Sequence, residues 1–143
     1  MLKGISPCIS PALLETLARM GHGDEIVFAD AHFPGETYNP KVIRCDGIRI
    51  PALLEGVMPL FELDNYVEAP LIMMAPAEGD FLDPVVEESF MTAIRKFCPA
   101  TPPVQRIGRF EFYQRTRLAF AVVMTGETAK YANIILKKGV TPV

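Results

Sequence analysis

No apolar run in this chain approaches the ~18 residues needed to cross a membrane as a helix. The greasiest stretches, 71–75 and 120–124, have the length of strands. The opening Met1-Leu2-Lys3-Gly4 lacks the long apolar core of a signal peptide. These absences predict a cytoplasmic protein with no membrane partner. Cysteine is scarce: Cys8, Cys45 and Cys98 are far apart, odd in number and form no Cys-x-x-Cys. That spacing suggests neither a disulfide framework nor a zinc knuckle, and predicts reduced thiols. There is no Gly-x-Gly-x-x-Gly and no Walker loop, so no nucleotide cofactor is expected. Positive charge is in deficit, with a formal net charge of −3, which argues against a nucleic-acid partner held by phosphate neutralisation. Lys137-Lys138 reads as a solvated edge.

What the chain does have is apolar mass. Half of its 143 residues are hydrophobic, enough for one ordinary domain over 1–143 with a real core. A small apolar domain without a membrane segment hides its excess in subunit contacts, which predicts a homo-oligomer.

Helix and strand signals alternate along it. Ser10-Pro11 opens a helix with a capping hydroxyl and a proline at its first position. Leu13, Leu14, Leu17, Ala18 and Met20 recur at helical spacing, and Gly21 supplies a stop. A strand over 25–29 follows, then a polar, broken loop over 33–40 that reads as lying outside the core. A short strand at 42–44 closes on the turn signal Asp46-Gly47. Pro51 opens a second helix that Pro59 ends or kinks, and 71–75 reads as a buried strand. Asp83-Pro84 repeats the cap-plus-proline start, with an apolar stripe of Val86, Phe90, Ile94 and Phe97. A short amphipathic helix over 110–117 leads to a strand at 120–124 and a last strand at 133–136. This alternation predicts an α/β fold, a largely parallel sheet covered on both faces.

Both histidines lie in Gly21-His22-Gly23-Asp24-Glu25-Ile26-Val27-Phe28-Ala29-Asp30-Ala31-His32-Phe33-Pro34. The apolar run between them places polar residues at the two ends of one strand. If Asp30 and His32 follow its carboxyl end, they open into the crevice where α/β sheets bind ligands. An imidazole, close carboxylates and glycines make an acid–base site. The same ligand types could in principle hold a divalent metal, but no pair has the His-x-x-x-His helical spacing, so no metal is expected.

The order of these residues resembles the sugar mutarotase family that includes D-ribose pyranases and L-fucose mutarotases. The resemblance runs through Arg44-Cys45-Asp46-Gly47, Pro59-Leu60-Phe61-Glu62-Leu63-Asp64, Arg109-Phe110-Glu111-Phe112-Tyr113 and Tyr131-Ala132-Asn133-Ile134-Ile135-Leu136. The His-Phe-Pro ending and the Arg-Phe-Glu-Phe-Tyr block are similar to the fucose branch. The resemblance implies a single-domain three-layer α/β/α fold and cofactor-free interconversion of sugar anomers. It implies His22 as proton donor and Tyr113 as a second acid–base group, with Asp30, Arg109, Tyr131 and Asn133 holding sugar hydroxyls and Asp64 a further candidate. An imidazole suits proton exchange near neutral pH. The family also implies rings, a homo-oligomeric decamer with sites between subunits, so that His22 and Tyr113 come from different chains.

Each residue has a structural reading beside this one. His22 can cap the carbonyls of the preceding helix, Asp24 can form a turn, and Glu25 can be a solvated strand end. His32 reads as a loop or subunit-contact residue without a catalytic role. Asp30 can cap a loop, Arg109 can pair with Glu111, Tyr113 can edge the core, Tyr131-Ala132-Asn133 can lead into a strand, and Asp64-Asn65 can be a turn. A non-catalytic sugar-binding module would use the same hydroxyl-gripping residues.

Overall fold

A computed structural model describes the whole chain, Met1–Val143. The Ser10 side chain accepts from the N–H of Leu13 and Pro11 takes the first position of α1 (Pro11–Arg19), where an N–H would have no partner. β1 (Glu25–Ala29) is buried from Ile26 onward. Then follow α2 (Gly35–Tyr38), β2 (Val42–Cys45), α3 (Ile50–Val57) and a 3₁₀ turn at Met58–Leu60 containing Pro59. β3 (Leu71–Met74) precedes α4 (Pro84–Arg95), which Asp83 caps by accepting from Val85. β4 (Gln105–Ile107), α5 (Arg109–Leu118), β5 (Ala121–Thr125) and β6 (Ile134–Lys137) complete the chain.

The six strands form one sheet in the order β2-β5-β1-β6-β3-β4. β1, β5 and β2 run parallel, as do β3 and β4. β6 is antiparallel to both of its neighbours, β1 and β3. Five strands thus point one way and β6 the other, in the largely parallel α/β arrangement expected. Successive side chains leave a strand on opposite faces, and here they divide between two cores. Ile26, Phe28, Val123 and Leu136 pack with α1, α3 and α4 in a cluster of 26 buried residues. Val27, Ala29, Met124 and Ile135 join Phe33 and Phe112 in a smaller one of 11.

The structure corrects several local expectations. The 33–40 segment is not outside the core: it holds the one-turn α2, and Phe33 and Asn39 are buried. The Asn39 amide donates to the carbonyls of Thr116 and Ala119 at 2.8 and 2.9 Å, closing the end of α5. β4 went unpredicted because Gln105-Arg106-Ile107 has no apolar run. Pairing with β3 makes it a strand, and Arg106 donates to the Met74 carbonyl at 2.7 Å. α1 stops with Met20 already extended, and the left-handed turn falls on Gly23 (φ 88°) rather than Gly21. Phe97 lies beyond α4 and is partly exposed. Glu25 is not solvated but pairs with Arg115 of α5. Lys137-Lys138 is not at an edge, since β6 sits inside the sheet, and Lys138 Nζ lies 5.4 Å from the centre of the Phe61 ring.

Gly126 follows β5 where the chain passes the backbone of Gly47. A Cβ there would lie 2.8 Å from Gly47 N, whereas one on Gly108 would meet nothing within 4 Å. Gly126→Ala is therefore expected to cost about 1–3 kcal/mol and lower the melting temperature by several degrees. Gly108→Ala should cost less, about 0.5–1 kcal/mol, because Gly108 is the N-cap of α5. Paired thermal melts check this; equal melting temperatures would contradict it.

Candidate active site

Because β6 runs against its neighbours, the loop entering it, 126–133, lies at the edge where β1 and β3 end. Asp30 leaves β1 at that edge, Met74 ends β3 there, and Arg109 and Tyr113 stand on the first two turns of α5, just after β4. These residues line a cleft of about 280 Å³ together with His32, Phe33, Pro34, Lys130, Tyr131 and Asn133. Ligand clefts at the carboxyl edge are the rule in open α/β sheets. Larger hollows of 440 Å³ beside Asp64 and of 780 Å³ among Glu55, Glu87 and Arg95 gather none of the other candidates.

Asp30 and Asn133 lock the two loops together. The N–H of Asp30 donates to Asn133 Oδ1 at 2.8 Å, while the Asp30 carboxylate accepts from the N–H groups of His32 (3.0 Å) and Ala132 (3.2 Å). Asn133 lines the cleft with its oxygen engaged, so its NH₂ group is the part left to offer a ligand. Asp30 is 3% exposed. Burial pushes its carboxyl above the ordinary aspartate value, and the N–H groups of His32 and Ala132 partly offset this. What Asp30 offers a ligand is a carboxylate with fixed direction and spare acceptor capacity, suited to hydroxyl donors.

Tyr131 has a left-handed backbone (φ 56°), the one non-glycine residue that does. Such strain costs on the order of 1–3 kcal/mol and persists only where the surroundings enforce it. Buried Glu127 orders the start of the same loop. Its Oε1 accepts from the N–H groups of Thr128 (3.0 Å) and Ala129 (3.3 Å) and from Arg49 (3.1 Å), and its carbonyl accepts from Ala31. Tyr113 stacks on Tyr38 at 4.5 Å and lines the cleft. Arg109 pairs with no carboxylate, Glu111 included; its guanidinium lies 4.9 Å from the centre of the Phe110 ring. His32 borders the cleft with Nε2 3.2 Å from the Thr128 carbonyl.

His22 and Asp64 are elsewhere. They sit at the opposite edge, where β1 begins and β6 ends. Asp64 N donates to the Lys137 carbonyl and Leu63 bridges Lys138. His22 Nε2 lies 3.3 Å from Asp64 Oδ1, its ring 5.4 Å from that of Tyr66, and its side chain is 47% exposed. It does not cap α1. Asp64 also accepts from the N–H of Tyr66 at 3.0 Å, the turn that Asp64-Asn65 suggested. That N–H, followed by His22, holds its carboxyl below the ordinary aspartate value. Five β1 residues at ~3.3 Å each separate the two edges by about 16 Å. Within one chain, His22 and Tyr113 cannot share a small substrate.

The fold also supplies groups that sequence reasoning passed over. Lys130 and Met74 line the cleft, and Asp80 binds Lys130 and Tyr131 at its rim. Gly79-Asp80 looks like an ordinary turn, so only its tertiary contacts reveal it.

Known proteins resemble this chain over its whole length. The family model for the RbsD / FucU transport protein family matches residues 3–141. An L-fucose mutarotase of Actinobacillus pleuropneumoniae serotype 5b is 62% identical over 143 residues, all of this chain and 99% of that one. The crystal structure of a fucose mutarotase from Streptococcus pneumoniae, in complex with L-fucose, superposes with a TM-score of 0.88 at 43% identity, covering 99% of this chain and 100% of that one. FucU from Bifidobacterium longum gives a TM-score of 0.92 at 36% identity, covering 98% and 100%. The chain belongs to the RbsD/FucU family.

Proposed function

We infer that the chain interconverts the α and β anomers of L-fucose, and that each working site is assembled from two copies of the chain. The observation that carries the activity is the convergence of Asp30, Arg109, Tyr113, Tyr131 and Asn133 on one cleft, in a chain that aligns end to end with L-fucose mutarotases. Ring opening breaks the bond between the anomeric carbon and the ring oxygen. A base takes the proton of the anomeric hydroxyl while an acid delivers one to the ring oxygen. Rotation about the next C–C bond turns the aldehyde, and reclosure reverses both proton movements. The reaction needs no electron sink, only an acid and a base at opposite ends of one O–C–O unit, with the sugar held still.

On this reading Asp30, Arg109, Tyr131 and Asn133 hold the hydroxyls, Tyr113 is one acid–base group and His22 is the other. Asp64 keeps the His22 ring oriented. The cleft lies about 16 Å from its own His22, so the imidazole comes from a neighbour. Exposed apolar side chains flank both edges: Tyr66, Leu60 and Leu118 toward the His22 edge, and Phe81 and Phe110 toward the cleft end. Contact between two different edges is head-to-tail and forms a ring where the rotation closes, the arrangement we propose within a decamer. No helix of the chain is long and apolar enough to cross a membrane, and we place the enzyme in the cytoplasm.

Saturation-transfer NMR tests the activity. With the α-anomer proton of L-fucose saturated, the protein should speed transfer to the β signal well above buffer, with EDTA present and more than for D-ribose. Binding of fucose without faster exchange would reduce the chain to a sugar-binding module. His22→Gln should slow exchange by about 10²–10⁴-fold, the usual worth of a general acid–base group, and leave fucose binding within a few-fold. Unchanged exchange would remove His22 from the chemistry.

Asp64 gives a pH test. A folded-state value below 3.8 makes its carboxylate stabilising above that pH, and the contribution is lost as pH falls through the folded value. The melting-temperature gap between wild type and Asp64→Asn should be full at neutral pH and shrink as pH drops below 3.8. A gap independent of pH would contradict the Tyr66 and His22 contacts.

A further inference from the structure

Asp80 does not line the cleft, yet it decides what Tyr131 can do there. The Tyr131 hydroxyl donates its single proton to Asp80 Oδ2 at 2.6 Å. The same hydroxyl accepts from the N–H of Ala77 at 3.2 Å. A phenol has one proton and two acceptor positions, so one lone pair is left for a ligand and no proton.

The carboxylate is held in its turn. Asp80 Oδ1 accepts from Lys130 Nζ at 3.0 Å and from the N–H of Phe81 at 2.8 Å. These two contacts on Oδ1 fix the direction in which Oδ2 faces the phenol. The Tyr131 hydroxyl first, then Lys130 and the Phe81 N–H, lower the Asp80 carboxyl to about 2, so it stays ionised through neutral pH. The left-handed backbone of Tyr131 completes the clamp, since the side chain is held at both ends.

Resting on the reading of this cleft as a sugar site, we propose that Asp80 is a positioning residue that fixes the Tyr131 hydroxyl as a hydrogen-bond acceptor, so that Tyr131 selects a sugar hydroxyl able to donate. Asp80→Asn reverses this polarity. The new amide oxygen must face the two donors, Lys130 and the Phe81 N–H, which points its NH₂ at Tyr131. The phenol then accepts from that NH₂ and frees its proton for the ligand.

Calorimetric binding of L-fucose and its 2-, 3- and 4-deoxyfluoro analogues tests the proposal, because fluorine accepts weakly and cannot donate. At the ring position that faces Tyr131 the analogue should bind wild type up to about tenfold more weakly than fucose, the scale of one neutral hydrogen bond. That penalty should vanish in Asp80→Asn and in Tyr131→Phe, with fucose itself weakened in both. A readout without sugar runs beside it. The chain has four tyrosines, so their ¹³Cζ resonances are separable and Tyr131→Phe identifies one of them. Asp80→Asn should move that resonance and leave Tyr38, Tyr66 and Tyr113 in place. An unmoved Tyr131 resonance, or a fluoro penalty that persists in Asp80→Asn, overturns the clamp. Equal binding of all three analogues to wild type overturns the acceptor role. Absence of any fucose binding by wild type overturns the sugar reading and this proposal with it.

Discussion

One strand runs the wrong way, and the cleft exists because it does. β6 lies between β1 and β3 and opposes both, so its entry loop meets their exits at one edge of the sheet. Had β6 been parallel, Tyr131 and Asn133 would lie at the far edge beside His22, and Asp30 would face nothing. The reversal is held by core packing on both faces, with Ile134 and Leu136 on one side and Ile135 on the other. A one-residue slip of β6 would exchange those faces and move Asn133 away from the N–H of Asp30. Burial of three aliphatic side chains therefore sets the position of a polar lock.

The polar side of the molecule is arranged by donors and acceptors that use each other up. Asn133 spends its oxygen on Asp30 and keeps its NH₂ for the cleft. Glu127 spends one oxygen on two backbone N–H groups and an arginine, and in doing so orders the start of the loop that carries Tyr131. No buried side-chain nitrogen or oxygen lacks a partner, so spare capacity is left to groups that reach the surface, those lining the cleft among them. Burial works against Asp30 as an ion, and its two backbone donors keep its direction fixed. Preorganisation of this kind suits a reaction whose uncatalysed form already proceeds in water, where positioning supplies much of the gain.

Much of the fold was legible because its signals are local. Ser10-Pro11 and Asp83-Pro84 announce helix starts by cap chemistry alone, and the runs at 26–29 and 71–74 announce buried strands. Direction is not local: nothing in Ile134-Ile135-Leu136 tells whether the strand runs with or against its neighbours. Nor is β4, whose three residues become a strand only by pairing with β3. Asn39 looked like loop polarity until the end of α5 arrived to receive its amide. Of the candidate site, Asp30, Arg109, Tyr113, Tyr131 and Asn133 meet in space, and the motif order that singled them out reflects that meeting. His22 was legible as lying at the other end of β1 from Asp30. That this end serves the cleft of another copy is our proposal, and it rests on the distance between the two edges. Asp80 and Glu127 were invisible, since each acts by holding another residue.

The central claim is that one site needs the His22 edge of one copy and the Asp30 edge of the next. Mixing His22→Gln subunits with Asp30→Asn subunits, after dissociation and reassembly, tests it most directly. Each variant alone should exchange L-fucose anomers slowly. The mixture should recover a substantial share of wild-type exchange, because some interfaces then pair an intact His22 with an intact Asp30. A mixture no more active than its components, with mixed assemblies demonstrated by mass spectrometry, would contradict a shared site.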